Sequence, residues 1–317
     1  MAKSNSTLSG KLVTVFGGSG FFGNYVAQHL LRRGARVRIA AREPEKAFSL
    51  KPLANLGQLQ FARCNVLDDR SVRAACQGSD AVVNLVGSFD GDLMALMGRG
   101  AGRIASAASE TGAGAMVQVS ATAADPESPA EYGRAKALGE ELVREHFPNA
   151  TILRPGILFG EDDNFVNMFA DLIRIAPVLP VFAPDAELQI LYVDDAAVAV
   201  AVALENPGKH SGKIYELGGP ELVTMMELNR RIAAAQNRKR TFLPMPDPVS
   251  GAFAALPGTP MGKDQWVMLK GGDTVSGDHP GIRKLGIEPR PLGLFLDKWM
   301  TRYRKHGRFG TRVDEAA

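Results

Sequence analysis

Short apolar, β-branched runs alternate with amphipathic stretches through the first half of the chain, as they do in parallel sheets with helical crossovers. The strand-like runs are Leu12–Phe16, Arg36–Ala41, Leu59–Arg63, Ala81–Val86, Met116–Ser120 and Thr151–Arg154. Helical periodicity fills the gaps at Phe22–Arg33, Asp69–Cys76, Leu93–Thr111 and Glu131–Phe147. Several strands are apolar at nearly every position, so both faces of the sheet are expected to be covered. Strand and helix in this alternation predict an α/β fold, a Rossmann-type doubly wound parallel sheet.

After Pro155 the pattern loosens. A helix is predicted over Asp163–Ile175, then Pro177, Pro180 and Pro184 break the chain into loop. Leu188–Val193 and Lys213–Leu217 read as strands, and Asp194–Leu204 and Glu221–Ala235 as helices. The Pro-, Ala- and Met-rich stretch Phe242–Pro260 takes no assignment, and Pro291–His306 reads as an amphipathic helix. The expected division is a dinucleotide-binding domain over 1–160, rejoined by 188–206. A smaller C-terminal substrate or partner region is expected over 161–187 and 207–317.

The glycines give this architecture its chemistry. Val13 to Phe16 runs straight into Gly17-Gly18-Ser19-Gly20-Phe21-Phe22-Gly23 and then into a helix. Gly17 permits a tight turn, Gly20 lets backbone approach a pyrophosphate, and Gly23 lets helix and strand pack closely. The N–H groups near Ser19, Phe21 and Phe22 then face an anion at the positive end of the helix. Where an NAD site carries an acid at the end of the second strand, this chain reads Ala40-Ala41-Arg42. A guanidinium there suits a 2′-phosphate, so NADP(H) is expected over NAD(H). Asn65 and Val66 fall where an adenine would lie, with the Asn65 side-chain oxygen facing its amino group. Val86 and Gly87, after the fourth strand, are expected beside the ribose and nicotinamide.

Ser120 ends the fifth strand, and Tyr132 and Lys136 stand four apart at the start of the next helix, on one face. A phenol beside an ammonium can exchange a proton with a carbonyl oxygen near neutral pH. Ser120 or Thr122 would hold that oxygen, and Lys136 can also bind ribose hydroxyls. The same three residues would serve equally well as a grip on a cofactor that never turns over.

Composition narrows the field. The 317 residues are 45% hydrophobic and 22% charged, with a formal net charge of +3, which is too small to imply nucleic acid. The two cysteines, Cys64 and Cys76, read as buried thiols rather than a disulfide. The histidines (His29, His146, His210, His279 and His306) show no paired metal-ligand spacing, so no zinc site is expected. Met1 to Gly10 is polar, without a signal core, and no apolar run approaches the roughly 18 residues of a bilayer span. The expected location is cytoplasmic, or peripheral on the inner face of a membrane.

Taken together, the glycine loop, Ser120, Tyr132 with Lys136, and Arg154-Pro155-Gly156-Ile157-Leu158-Phe159-Gly160 resemble the atypical, extended short-chain dehydrogenase/reductases. Ala135–Glu140, Phe147–Ala150, Phe159–Phe165, Tyr192–Asp195 and Leu285–Ile287 with Pro291-Leu292 are similar to the nucleotide-binding accessory subunit of respiratory complex I and its bacterial relatives. The likeness runs from about Lys11 to Arg308. It implies a tightly held NADP(H), with Pro155 beside it, and respiratory-chain subunits as partners on a membrane complex. It also admits a freestanding reductase. A sugar-nucleotide epimerase is the weaker fit, since no set of basic groups for a pyrophosphate-linked sugar follows Pro155. The apolar stretches Asn164–Phe182 and Phe242–Trp266 point instead to an apolar substrate such as a quinone, a lipid or a steroid-like ring. Near the end, Lys298, Arg302, Arg304, Lys305, Arg308 and Arg312 interleave with or follow Leu292, Leu294, Phe295, Leu296, Trp299, Met300 and Tyr303. This segment suits an anionic membrane surface or a partner, or a terminal helix packed on its own domain with a basic rim.

Overall fold

The computed structural model describes residues 6–254, 262–305 and 307. The chain divides into two units, one of Met1–Pro155, Val193–Leu217 and Ser276–Glu288, the other of Gly156–Tyr192, Gly218–Val275 and Pro289–Ala317.

The first unit is built on the apolar runs. Strands β1 (Leu12–Phe16), β2 (Arg36–Ala41), β3 (Leu59–Arg63), β4 (Ala81–Asn84), β5 (Ala115–Val119) and β6 (Thr151–Pro155) are all parallel. A seventh strand, Ile214–Leu217, pairs with β6, and the order across the sheet is seventh–β6–β5–β4–β1–β2–β3. That strand was expected in the C-terminal region; its register with β6 (Ile214 opposite Ile152, Leu217 opposite Pro155) places it in the main sheet. Every residue of β1 and β4 is buried, as covering on both faces requires.

Helices α1 (Phe21–Arg32), α2 (Asp69–Cys76), α3 (Gly100–Glu110) and α4 (Glu131–His146) supply the crossovers. Ahead of α3, Met94–Arg99 winds as a π-helical turn that runs directly into it. Helix Val193–Glu205 packs on α1, where His29 Nε2 lies 2.6 Å from Asp194 and Arg33 bonds Glu205 at 3.1 Å. Cys64 and Cys76 are both free and buried.

The second unit has no large sheet among its described residues. Its strands come in short pairs: Leu158–Phe159 with Leu191–Tyr192, Glu187–Leu188 with Val223–Thr224, and Val178–Val181 with Thr241–Pro244. The single strand expected over Leu188–Val193 is therefore two, each with its own partner. The helix expected from Glu221 begins at Met225, because Thr224 caps it by accepting the Glu227 N–H at 3.1 Å. Phe159, Ile173, Leu228, Ile232, Leu296 and Trp299 are among the buried residues of its core. The C-terminal helix, Gly293–Met300, buries Leu296, Trp299 and Met300 there, and Tyr303 follows in a 3₁₀ turn. His306, Arg308 and Arg312 of the predicted basic segment, and residues 255–261, lie outside the described residues. Among the described residues no helix is long and apolar enough to cross a membrane.

Candidate functional site

The sheet reverses its strand order between β1 and β4, where open α/β sheets form a crevice beyond the carboxyl ends of their strands. The chain leaves β1 through Gly17, whose φ of +74° is left-handed. A Cβ on Gly17 would stand 3.1 Å from the Leu85 carbonyl carbon, and one on Gly23 only 2.5 Å from Gly18 Cα. Both contacts are with main chain, so neither neighbour can swing aside, and any larger residue would push the loop off the strands. Gly20 is the N-cap of α1, with no side-chain cap and no acid in the first turn. Unpaired N–H groups and the positive end of the helix dipole are thus left for an anion.

These features surround a cleft of about 350 Å³. Gly17, Ser19, Gly20, Phe21, Phe22 and Gly23 line one side of it, and Arg42 stands at the end of β2. Val66, after β3, and Val86 and Gly87, after β4, line it too. Lys46, Glu43, Ser88 and Leu96 also line it and had not been expected. Lys46 lies 2.6 Å from Glu43, and that bond holds the Glu43 carboxyl below the usual carboxylate range. The acid beside Arg42 is thereby compensated, so the three residues together keep one net positive charge. The spacing Arg42 to Lys46 was visible in the sequence, but the 3₁₀ segment Pro44–Leu53 that carries Lys46 has almost no amphipathic pattern.

Three of the residues expected at the cofactor, Asn65, Lys136 and Pro155, are not among those lining the cleft. Asn65 uses its side-chain oxygen locally, accepting the Leu67 N–H at 3.1 Å, and is not among the lining residues. Pro155 is also outside the lining, and its carbonyl accepts the Thr122 N–H at 3.2 Å.

Tyr132 and Lys136 form a second group next to Val86 of the cleft, and Ser120 follows the Val119 carbonyl that Lys136 meets. Lys136 is 3% exposed and donates to the carbonyls of Val86 (3.2 Å) and Val119 (3.3 Å), so it ties the ends of β4 and β5 together. The buried amide of Asn84 braces the same corner, donating to Gln118 Oε1 at 2.8 Å while its oxygen accepts the Val86 N–H at 3.0 Å. Burial pushes the Lys136 ammonium down to about 8, opposed by the Glu140 carboxylate one turn on. Glu140 is itself clamped by Arg154 through two bonds of 2.8 Å. In the neighbouring strand the buried Glu216 faces Arg154 in register and accepts from Ser276 Oγ (2.8 Å) and the Gly277 N–H (3.0 Å).

The Tyr132 ring lies 5.7 Å from Lys136 Nζ and stacks on Phe89, with centroids 4.8 Å apart. Phe89 is 49% exposed and sits in the loop after β4, where no periodicity marked it. Ser120 is 3% exposed, yet its Oγ has no hydrogen-bond partner among the described residues. Buried polar atoms are almost always paired, so the Ser120 hydroxyl keeps an unused capacity for a hydrogen bond.

Residues 13–218 match the NAD dependent epimerase/dehydratase family, and the chain belongs to that family. It has the NAD(P)-binding, Rossmann-type fold common to epimerases and reductases. Among its relatives is subunit 9 of the mitochondrial NADH dehydrogenase (ubiquinone) 1 alpha subcomplex of Rattus norvegicus, 33% identical over 98% of this chain and 85% of the relative. The ceramide reductase of Caulobacter vibrioides is 25% identical over 78% of this chain and 80% of its own. The NADPH-dependent quinone oxidoreductase of Escherichia coli, solved with NADPH, superposes with a TM-score of 0.72 at 19% identity, covering 92% of this chain and 99% of that one.

Proposed function

We propose that this protein is an NADP(H)-dependent oxidoreductase acting on a carbonyl or alcohol of an apolar substrate. The observation that carries the proposal is the unpartnered, buried Ser120 hydroxyl in the same corner as the Lys136 ammonium. Gly17, Ser19, Gly20 and the N–H groups of Phe21, Phe22 and Gly23 hold the pyrophosphate, and Arg42, with Lys46 beyond it, takes the 2′-phosphate. Val66 packs against the adenine, and Val86 and Gly87 border the ribose. Bound there, the nicotinamide supplies the hydride donor or acceptor. Ser120 Oγ then hydrogen-bonds the reacting oxygen, and the Tyr132 phenol gives or takes its proton. Lys136 favours the phenolate by its charge and reaches the ribose hydroxyls. The apolar substrate is favoured by a relative named for reducing a lipid.

A second reading keeps the cofactor and removes the turnover, with respiratory-chain subunits as partners. It is favoured by the whole-length similarity to a subunit of mitochondrial NADH dehydrogenase.

Purified full-length protein assayed for NADPH oxidation over a panel of apolar ketones, aldehydes and quinones separates the two. The oxidoreductase reading expects substrate-dependent turnover that falls by a factor of about 10² or more in Tyr132→Phe and survives, reduced, in Ser120→Ala. Tight NADPH binding with no turnover on any member of the panel, and identical behaviour of Tyr132→Phe, would leave only the accessory role.

A further inference from the structure

The second unit carries positive charge and bare aliphatic side chains on the same edge. Helix Phe165–Ile175 ends with Leu172 and Ile175 exposed, Ile175 to 73%. The chain continues into Val178–Val181, whose residues alternate exposed and buried, and Val178 faces outward. Thr241–Pro244 runs parallel beside it, with Thr241 opposite Val178 and the exposed Leu243 opposite Pro180. Register therefore puts Val178 and Leu243 on one outward face, and the exposed Ile175 stands three residues ahead of Val178 in the chain.

Cations crowd the border of this face. Arg240 Nε donates to the Ile173 carbonyl at 2.7 Å, and its Nη2 to that of Arg174 at 3.4 Å. Arg238 donates to the Tyr303 carbonyl at 3.1 Å, and Arg304 to that of Ala235 at 2.9 Å. The Arg174 guanidinium lies 6.0 Å from the Tyr303 ring, which links the groups across the edge. Helix C-termini attract cations, but carbonyl dipoles do not cancel their charge. Asp171 pairs with Arg174 at 2.9 Å and Asp297 lies 3.8 Å from Arg304. No carboxylate pairing is seen for Arg238, Lys239 or Arg240 among the described residues. Arg238 Nε is buried and unpartnered. Burial, with Arg240 and Arg174 close by, also holds Arg238 below the usual guanidinium value.

We propose that this edge of the second unit docks on an anionic phospholipid bilayer. Phosphates would meet Arg174, Arg238, Lys239 and Arg240, while Ile175, Val178 and Leu243 enter the boundary between headgroups and acyl chains. A fluid interface suits isolated aliphatic tips that project without forming a pocket, whereas an acidic protein would have to match each tip with its own shape. Among the described residues no exposed aromatic platform accompanies these cations, as binding of nucleic-acid bases would require. The inference stands apart from the cofactor site and holds for either role proposed above.

Flotation of the full-length protein with vesicles tests it, using phosphatidylcholine alone or with about one quarter phosphatidylglycerol. The expected result is binding to the mixed vesicles at least tenfold above phosphatidylcholine alone, and loss at high salt. Lys239→Glu should weaken it about fivefold or more, since a surface cation contributes roughly that factor and the substitution reverses it. Ile175→Ser/Val178→Ser should weaken it at low salt too, which pure counterion attraction would not do. NADPH affinity and melting temperature serve as fold controls and stay at wild-type values. Failure of the wild-type protein to float overturns the proposal and leaves an acidic protein as the fit for the charge. Flotation unaltered in both variants also overturns it, because docking would then lie elsewhere on the chain.

Discussion

The guanidinium of Arg154 and that of Arg238 are both partly buried arginines, yet they are satisfied in opposite ways. Arg154, in the first unit, meets Glu140 through two bonds of 2.8 Å, so the charge is cancelled where it sits. Arg238, in the second, meets the Tyr303 carbonyl and, among the described residues, no carboxylate, so it keeps its charge. Lys136 belongs with Arg238 by this measure, since it donates to two carbonyls and has a carboxylate only one helical turn away. A buried pair closed through two bonds is structural, whereas a cation held by carbonyl dipoles keeps charge that a ligand can use.

The largest effect that would test this contrast is on stability. Glu140→Leu strands the Arg154 guanidinium and should cost about 3–5 kcal/mol in urea unfolding, most of it recovered in Glu140→Leu/Arg154→Met. A loss under about 1 kcal/mol in the single variant would mean the pair is not the closed unit described.

Lys136→Met should act in the opposite sense. The folded protein releases the Lys136 proton near 8, against 10.5 for the ordinary side chain, so the buried charge disfavours the fold below about pH 8. The penalty is relieved as pH rises from there towards 10.5. The apoprotein should therefore gain up to about 3 kcal/mol over that window, and Lys136→Met should show this gain already at neutral pH while losing cofactor affinity. Equal pH dependence in wild type and variant would place the open charge elsewhere.

A smaller effect is expected at Arg42, an exposed open cation. Arg42→Ala should lower NADPH affinity by about 1.5–3 kcal/mol and leave NADH nearly unchanged, as titration with each dinucleotide would report. Equal losses for both would show that Arg42 does not read the extra phosphate.

Much of the first unit was legible because its signals are local. The strands β1, β2 and β3 begin and end where the sequence pattern does, and the glycines of 17–23 lie directly between strand and helix. The seventh strand was recognisable as a strand, but its seat beside β6 depends on a partner sixty residues away, and Glu216 within it needs Ser276. At Asn65 the topological expectation met a local competitor: a short turn claims the amide oxygen, as asparagines in loops readily do. Lys46 and Phe89 sit on irregular segments, where periodicity carries no information. The second unit was least legible, because its strands are two to four residues long and paired only through tertiary contacts.

The clasp of Ser276 and Gly277 on Glu216 sets an order of events for the growing polypeptide. A carboxylate buried in an edge strand waits for hydrogen-bond donors synthesised some sixty residues later, after most of the second unit has been made. Nascent chains released before that point, or fragments cut at residue 218 where the family match ends, would present an acid-bearing strand without its lock. Such pieces should be prone to exchange or aggregate along that edge, and an excised first unit should behave well only when 276–288 is supplied with it.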